Sequence, residues 1–217
     1  MKAIVNFDHQ DYPNKELVIS YPRSDNASKE LLHKIVSITE HPIIILERPD
    51  HLTIGAARNE AVAKANGEYV CTWDDDDFYH TMRVKYQYNN MQVNGQYREA
   101  CLVTRIILYD STNGKAYHSF PHFWAGALLC KKEIVLKHPF TDDNTGEADA
   151  LVDYLDTHRY LHCIEDFGIL YTYIYHGENK IHYADFEIFI KGSGLLDPQN
   201  SEWVTGNVNQ QYQLIMN

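Results

Sequence analysis

Residues Gly67-Glu-Tyr-Val-Cys-Thr-Trp-Asp74-Asp75-Asp76-Asp77-Phe78 join an apolar, strand-forming run to four consecutive acids, and no other stretch restricts the fold as strongly. Val70, Cys71, Thr72 and Trp73 are β-branched, aromatic or readily buried types that suit a buried strand. Four adjacent carboxylates repel one another and do not share a core without a counter-charge. The run therefore predicts a strand whose C-terminal mouth carries the acids, which is where open α/β sheets bind ligands. Hard oxygen ligands gathered there suit Mg²⁺ or Mn²⁺, and such an ion neutralises a diphosphate. The plainer reading is a solvated acidic turn, the usual fate of a like-charge block; the apolar strand leading into it favours the metal site.

Around this stretch the periodicity alternates between strand and helix. Residues 1–10 read as a short helix with Ala3, Ile4 and Phe7 on one face, and Glu16 to Ser20 as a buried strand. A loop over Pro22, Ser24, Asp25 and Asn26 leads to a helix capped by Ser28 and running to about Ser37, then to a strand over Pro42 to Leu46. Thr53 precedes a helix that stops at Asn66-Gly67. Strand, helix, strand, helix, strand in this order implies parallel pairing in an open α/β sheet. Further on, the pattern predicts a helix from Met82 to Val93, a strand over Cys101 to Tyr109, a hairpin turn at Asn113-Gly114 and a return strand from Lys115 to Phe120. A strand over Gly126 to Cys130, helices over 131–137 and 147–158, and a last strand from Ile169 to Tyr175 complete a mixed sheet. Beyond Gly192 only a weak helical signal remains, from Val208 to Met216.

With 217 residues, 44% of them apolar, the chain supports one α/β domain with a sizeable core. The formal charge of −11 argues against nucleic-acid backbones as a partner. Cys71, Cys101, Cys130 and Cys163 stand in apolar segments without CxxC spacing, which favours buried thiols and a reducing, cytoplasmic compartment. The sequence contains no signal peptide, no apolar run long enough for a membrane span and no repeat. Peripheral attachment at the inner face of a membrane stays open, as does the oligomeric state.

Several of these segments together resemble a known family. Gln10-Asp-Tyr12-Pro13-Asn14-Lys15-Glu16-Leu-Val-Ile resembles the segment after the first helix of inverting family-2 glycosyltransferases, which have the GT-A fold. Gly55-Ala-Ala-Arg58-Asn59 followed by Gly67-Glu68-Tyr69 is similar to the family's helix-then-strand signature, and Trp73-Asp-Asp-Asp-Asp-Phe78 to its DxD-containing strand end. Trp124-Ala-Gly126 and Tyr175-His176-Gly177-Glu-Asn179 are similar to later, weaker signals, so the likeness spans roughly residues 3 to 180.

The resemblance implies a GT-A-like, Rossmann-like mixed sheet flanked by helices, in a single domain over 1–190. Within it, 1–100 would form the nucleotide-sugar half and 101–190 the acceptor half, with 191–217 a C-terminal tail. It implies a metal-dependent inverting transferase that moves a sugar from a nucleotide-diphosphate donor, UDP-sugar favoured, to a glycan or lipid-linked acceptor, with Mn²⁺ or Mg²⁺ as cofactor. Asp74 would face the ribose and Asp75 the donor. Asp76 would ligate the metal with Asp77 in support, and His176 would add a third contact to metal or diphosphate. Arg58 and Asn59 fall on the donor side, although Arg58 also has the option of a plain surface pairing with one of the acids.

Inverting transfer needs a base for the acceptor hydroxyl. The family carries it in a Glu-Asp pair at the start of a helix, and Gly146-Glu147-Ala148-Asp149 occupies that place with Ala148 at the base position in one register. Asp149 is the expected base, with Glu147 second; both also suit a helix's first turn on dipole grounds alone. The literal pair Glu165-Asp166 reads as a decoy. The family's first strand would fall before Met1, so either the start lies upstream or the donor site is incomplete. The usual nucleobase carboxylate is missing, with Asp25 as its replacement. The competing function is a non-catalytic GT-A-like domain that binds a nucleotide or glycan. A nucleotidyltransferase would need a glycine-rich loop with a lysine near the N-terminus, whereas the first glycine is Gly55.

Overall fold

The structure, a computed structural model, describes residues 2–216 apart from 36–38, 40, 94, 95 and 167. The N-terminal part alternates as expected. Helix α1 (Lys2–Asp8) buries Ile4 and Phe7, and strand β1 (Leu17–Pro22) follows the Tyr12-Pro13-Asn14 turn. Helix α2 (Asn26–Ile35) leads to β2 (Ile43–Arg48), which pairs with β1 in parallel, Leu17 opposite Ile43. Leu17, Tyr21, Leu32 and Ile35 close over Ile4 and Phe7 as a small core of their own. The expected cap at Ser28 is corrected: α2 starts earlier, and Asp25 accepts from Ser28 N at 3.0 Å and from Ser28 Oγ at 2.6 Å. An aspartate just ahead of the first turn satisfies orphan N–H groups better than a serine already inside it. Ser37, the predicted helix end, lies outside the described residues.

Helix α3 (Ile54–Lys64) is capped by Thr53, whose side chain accepts from Ala56 N, and it delivers the chain to β3 (Tyr69–Cys71). After the acidic turn come β4 (Phe78–Tyr79) and α4 (Arg83–Asn90), which stops before the expected Val93 because the chain enters a two-stranded ribbon, β5 (Gln92–Val93) with β6 (Gln96–Tyr97).

The run expected as one strand over Cys101 to Tyr109 is two, β7 (Ala100–Val103) and β8 (Ile107–Asp110), in different sheets. Thr104 makes the break. Its N and Oγ1 both donate to Ile164 O, at 2.9 and 3.1 Å, while its own carbonyl accepts from His122 N and Trp124 Nε1. Its N–H makes the last rung of the β7–β11 pairing and its carbonyl is taken by loop residues, so the chain steps from one sheet to the next.

The hairpin follows as predicted, with β9 (Lys115–His118) antiparallel to β8 across Gly114 at φ +71°. The remaining elements are β10 (Leu128–Lys131), α5 (Lys132–Lys137), α6 (Asp149–Thr157), β11 (Leu161–Ile164), β12 (Tyr171–Tyr175), α7 (Tyr183–Lys191), β13 (Gly194–Leu195) and α8 (Pro198–Met216). One sheet has the order β11-β7-β10-β3 and another β13-β9-β8-β12-β4, both mixing parallel and antiparallel pairs. Leu102, Leu108, Leu151, Leu155 and Leu170 fill the main core under these sheets. Helix α8 is longer than the weak signal suggested, and it docks through Val204 and Val208 onto Phe78, Ile107 and Ile174. Among the described residues no helix is long and apolar enough to cross a membrane.

Candidate active site

The acidic turn divides its four carboxylates between different environments. Asp75 is exposed and Asp74 half-buried, while Asp77 is fully in the core. Asp77 Oδ2 accepts from Tyr171 Oη at 2.5 Å and Oδ1 from Ile174 N at 2.9 Å, and its backbone carbonyl accepts from Asn6 Nδ2. Burial, reinforced by the charges of Asp74 and Asp76, pushes the Asp77 carboxyl well above the usual carboxylate range. Asp77 thus anchors the turn from below, with both oxygens engaged by protein donors.

Asp76 stands at the rim, its Oδ2 3.2 Å from His176 Nε2. Burial and then the neighbouring Asp75 and Asp74 charges raise its carboxyl, with the His176 contact opposing them. His176 is held by a turn at Gly177: its backbone N donates to Asn179 Oδ1, and its Nδ1 accepts from Glu178 N at 3.3 Å. With Nδ1 accepting, Nε2 carries the proton and donates to Asp76. Among the described residues no three ligating side chains converge, so the protein's own donors here are this carboxylate and imidazole.

Beneath the turn lies a group that sequence patterning did not single out. Arg83 is fully buried, donating from Nε to Gln87 Oε1 and from Nη2 to Gly126 O. Its guanidinium lies 4.4 Å from the Tyr79 ring and 5.1 Å from that of Trp73. Tyr79 Oη accepts the N–H of Asp74 at 2.6 Å, and Tyr171 stacks on Tyr79 at 5.3 Å. A buried cation set over the rings of Tyr79, Trp73 and Tyr171 gains cation–π attraction that partly offsets its loss of water. One arginine after an aromatic run has no distinguishing spacing, so only the fold reveals it.

Arg58 joins this turn to the opposite wall. Its Nη2 donates to Asp74 Oδ1 at 2.7 Å, and its Nη1 lies 3.2 Å from Glu147 Oε1, near enough for charge pairing but off the line of a hydrogen bond. Although burial works against its charge, the Asp74 and Glu147 carboxylates hold the Arg58 pKa above its ordinary value. Asn59 does not point into the site. Its amide spans Phe140, donating to the carbonyl and accepting from the N–H. Gly55 belongs to the same clamp, since a Cβ there would collide with the Thr141 carbonyl. The Gly55-Ala-Ala-Arg58-Asn59 motif thus seats α3 on the 140–147 loop and delivers Glu147 to Arg58.

Ala148 is buried in the core, whereas Asp149, next along at the start of α6, is exposed. Its charge reaches His122, whose imidazole burial holds below the ordinary histidine range. His122 packs against Trp124 at 4.8 Å, and Trp124 against Phe189 at 5.0 Å, giving an aromatic wall beside Asp149. Asp25 stands apart, occupied as the lead-in to α2. Glu165 and Asp166 lie on the exposed turn after β11, Asp166 accepting from Tyr86 Oη at 3.4 Å.

Residues 2–162 match the family model described as glycosyl transferase family 2. The chain belongs to glycosyltransferase family 2. This family-2 glycosyltransferase is 29% identical over 93 residues to an uncharacterized glycosyltransferase of Haemophilus influenzae, covering 43% of this chain and 37% of that one. Its fold resembles that of S. aureus TarS residues 1–349, with a TM-score of 0.57 at 15% identity, over 79% of this chain and 55% of that one. The TarS structure in complex with UDP-GlcNAc gives a TM-score of 0.58 at 14% identity, over 83% of this chain and 55% of that one. The family-2 glycosyltransferase described here therefore spans little more than half of the TarS structures and a smaller share of the curated relative.

Proposed function

We propose that this family-2 glycosyltransferase transfers a sugar from a nucleotide-diphosphate donor, with UDP-sugar favoured, to a glycan or lipid-linked acceptor with inversion. The observation that carries this reading is the Arg58 bridge, which brings the end of β3 and the start of α6 to one guanidinium, through Asp74 and Glu147. A donor side and an acceptor side that share one rigid contact are what direct displacement needs. The UDP-GlcNAc complex of the structurally similar TarS supports the choice of donor class.

In this reading Asp74 and Asp75 face the nucleoside and diphosphate, with Arg58 fixing the orientation of Asp74. Asp76 and His176 would hold a Mn²⁺ or Mg²⁺ ion. The Asp76 carboxylate is a hard oxygen ligand suited to Mn²⁺ or Mg²⁺, and the His176 imidazole, 3.2 Å from it, would join as a ligand by giving up its Nε2 proton to make room for the ion. When bound, that ion supplies charge neutralisation for the departing diphosphate. Asp77 serves as the buried support already described. Asp149, exposed beside the aromatic wall of His122 and Trp124, takes the proton of the acceptor hydroxyl, while Glu147 keeps Arg58 in place. Sugar rings stack on such aromatic faces.

The test is turnover of a panel of nucleotide sugars by purified protein with Mn²⁺, read as nucleotide diphosphate release. The reading expects release from at least one UDP-sugar and its loss in Asp149→Asn. Release that is indifferent to Asp149→Asn removes the assigned base, and no release from any donor leaves a binding domain.

A further inference from the structure

Among the described residues Gly114, Gly146 and Gly177 are the glycines with φ in the left-handed region. Nothing lies within 4 Å of the place a Cβ would take at Gly114 or Gly177, so backbone conformation alone accounts for glycine there. Gly146, at φ +66°, is different: a Cβ would stand 2.9 Å from Asp149 Oδ2 and 3.6 Å from its Cγ. The Asp149 carboxylate is therefore folded back over residue 146, into space that only a missing side chain leaves open. Positive φ does not by itself exclude a side chain in this protein, since Arg159 adopts φ +59°.

Space rather than bonding decides where this carboxylate lies. Asp25, ahead of α2, accepts from Ser28 N, whereas among the described residues no donor reaches the Asp149 oxygens. The loop beneath is the fixed partner. Thr141 N donates to Glu147 O at 2.9 Å, Asp149 N to Gly146 O at 3.1 Å and Gly55 N to Asp143 O at 3.0 Å. An exposed aspartate turns between χ1 wells more readily than a loop tied in this way can shift. An added Cβ at 146 thus sends the carboxylate elsewhere and costs the fold only the strained φ. The place it vacates adjoins Glu147, which pairs with Arg58 and through it with Asp74.

We propose that Gly146 is a positioning residue for sugar transfer: by lacking a side chain it keeps the Asp149 carboxylate over the loop that carries Glu147, where the acceptor hydroxyl gives up its proton. In that step the acceptor oxygen bonds to the sugar C1 as the C1–O bond to the diphosphate breaks, and Asp149 takes the proton. The proposal rests on the reading of Asp149 as the base, but the placement of the carboxylate is measurable without a donor.

The test compares Gly146→Ala with Gly114→Ala, which brings a similar backbone strain into open space. In the whole chain the carboxyl carbon NMR resonance of Asp149, assigned through Asp149→Asn, should move in Gly146→Ala and stay in place in Gly114→Ala, while the thermal midpoint falls similarly in both. UDP release from a panel of UDP-sugars should lose about 100-fold in kcat in Gly146→Ala, as for a displacement on the order of 1 Å, with the donor KM unchanged. In the Asp149→Asn background Gly146→Ala should cause no further loss, because its effect runs through that carboxylate. Gly146→Asn, which tolerates positive φ and adds the same Cβ, should reproduce these results and stands in if the alanine variant does not fold. An Asp149 resonance that stays in place in both Gly146 variants, or the same kcat loss with and without the carboxylate, overturns the proposal even where Asp149→Asn abolishes release. A resonance that moves while no donor is turned over, or while release is indifferent to Asp149→Asn, overturns instead the base assignment, and the proposal falls with it.

Discussion

Asp74 and Glu147 belong to opposite walls of the site and meet on one guanidinium, that of Arg58, at 2.7 and 3.2 Å. Removing the arginine leaves two carboxylates facing each other in a partly buried place. Arg58→Ala should destabilise the protein by about 2 kcal/mol, below the value for a fully buried pair because a fifth of the Arg58 side chain is exposed. Arg58→Lys should recover only part of this, since a single ammonium on a shorter side chain replaces the two separate Nη groups that reach Asp74 and Glu147. Urea denaturation of the two variants checks both statements; a variant as stable as the parent would show that the bridge contributes no stability.

The hydroxyl of Tyr171 is one of two donors to the buried Asp77 carboxylate. Tyr171→Phe deletes it without changing the ring's shape, so the expected cost is roughly 1–3 kcal/mol for a buried acceptor left short of a partner. Far-UV circular dichroism should stay unchanged while the thermal midpoint falls. An unaltered midpoint would show that Asp77 does not depend on this donor.

Gly126 passes so close to Tyr171 and Asp74 that a Cβ there would strike the phenol oxygen and press on the carboxylate. Gly126→Ala should therefore displace Asp74, costing about 1–3 kcal/mol as an overpacked site. The cost should shrink in the Gly126→Ala, Tyr171→Phe double variant, because the nearest colliding atom is gone. Strict additivity in a thermodynamic cycle would contradict the contact.

Glu16, just before β1, accepts the N–H groups of Asn66 and Gly67, just before β3, and its pKa is lowered. Burial opposes that shift, but the donors Asn66 and Gly67 outweigh it. A carboxyl with a depressed folded pKa contributes stability above its unfolded pKa of about 4.3 and loses that contribution as pH falls through the folded value. Glu16→Gln should cost about 1 kcal/mol at pH 7, discounted for exposure, and the difference from the parent should vanish on acidification below the ordinary carboxylate range. A difference that holds constant from pH 7 down to pH 3 would contradict the charge-assisted bonds.

The parts of the fold that were legible in the sequence are those governed by local patterns. Thr53 capping α3, Gly114 in the hairpin and the Leu151, Val152, Leu155 stripe of α6 each declare themselves within a few residues. Long-range partners decided the rest. Thr104 breaks an apparently continuous strand because Ile164, His122 and Trp124 compete for its polar groups, and none of them is near it in sequence. Asp25 suited a ligand role by residue type, but the open N–H groups of α2 lie closer. Within the site the acids were visible as a motif, whereas their division into buried Asp77 and rim Asp76 depends on Tyr171, Ile174 and His176 from β12 and the turn after it. Asn59 belonged to a recognisable motif, yet its partner, the Phe140 backbone, emerges only once α3 meets the 140–147 loop.

The most direct measurement for the central claim is calorimetric titration of UDP into the protein with Mn²⁺, repeated without the ion and with Asp76→Asn. The account predicts saturable binding that weakens at least tenfold when Mn²⁺ is withdrawn and to a similar degree in Asp76→Asn, with the thermal midpoint of that variant unchanged. Absence of UDP binding at millimolar Mn²⁺, or binding that Asp76→Asn leaves intact, would contradict a metal-assisted nucleotide-sugar site at the end of β3.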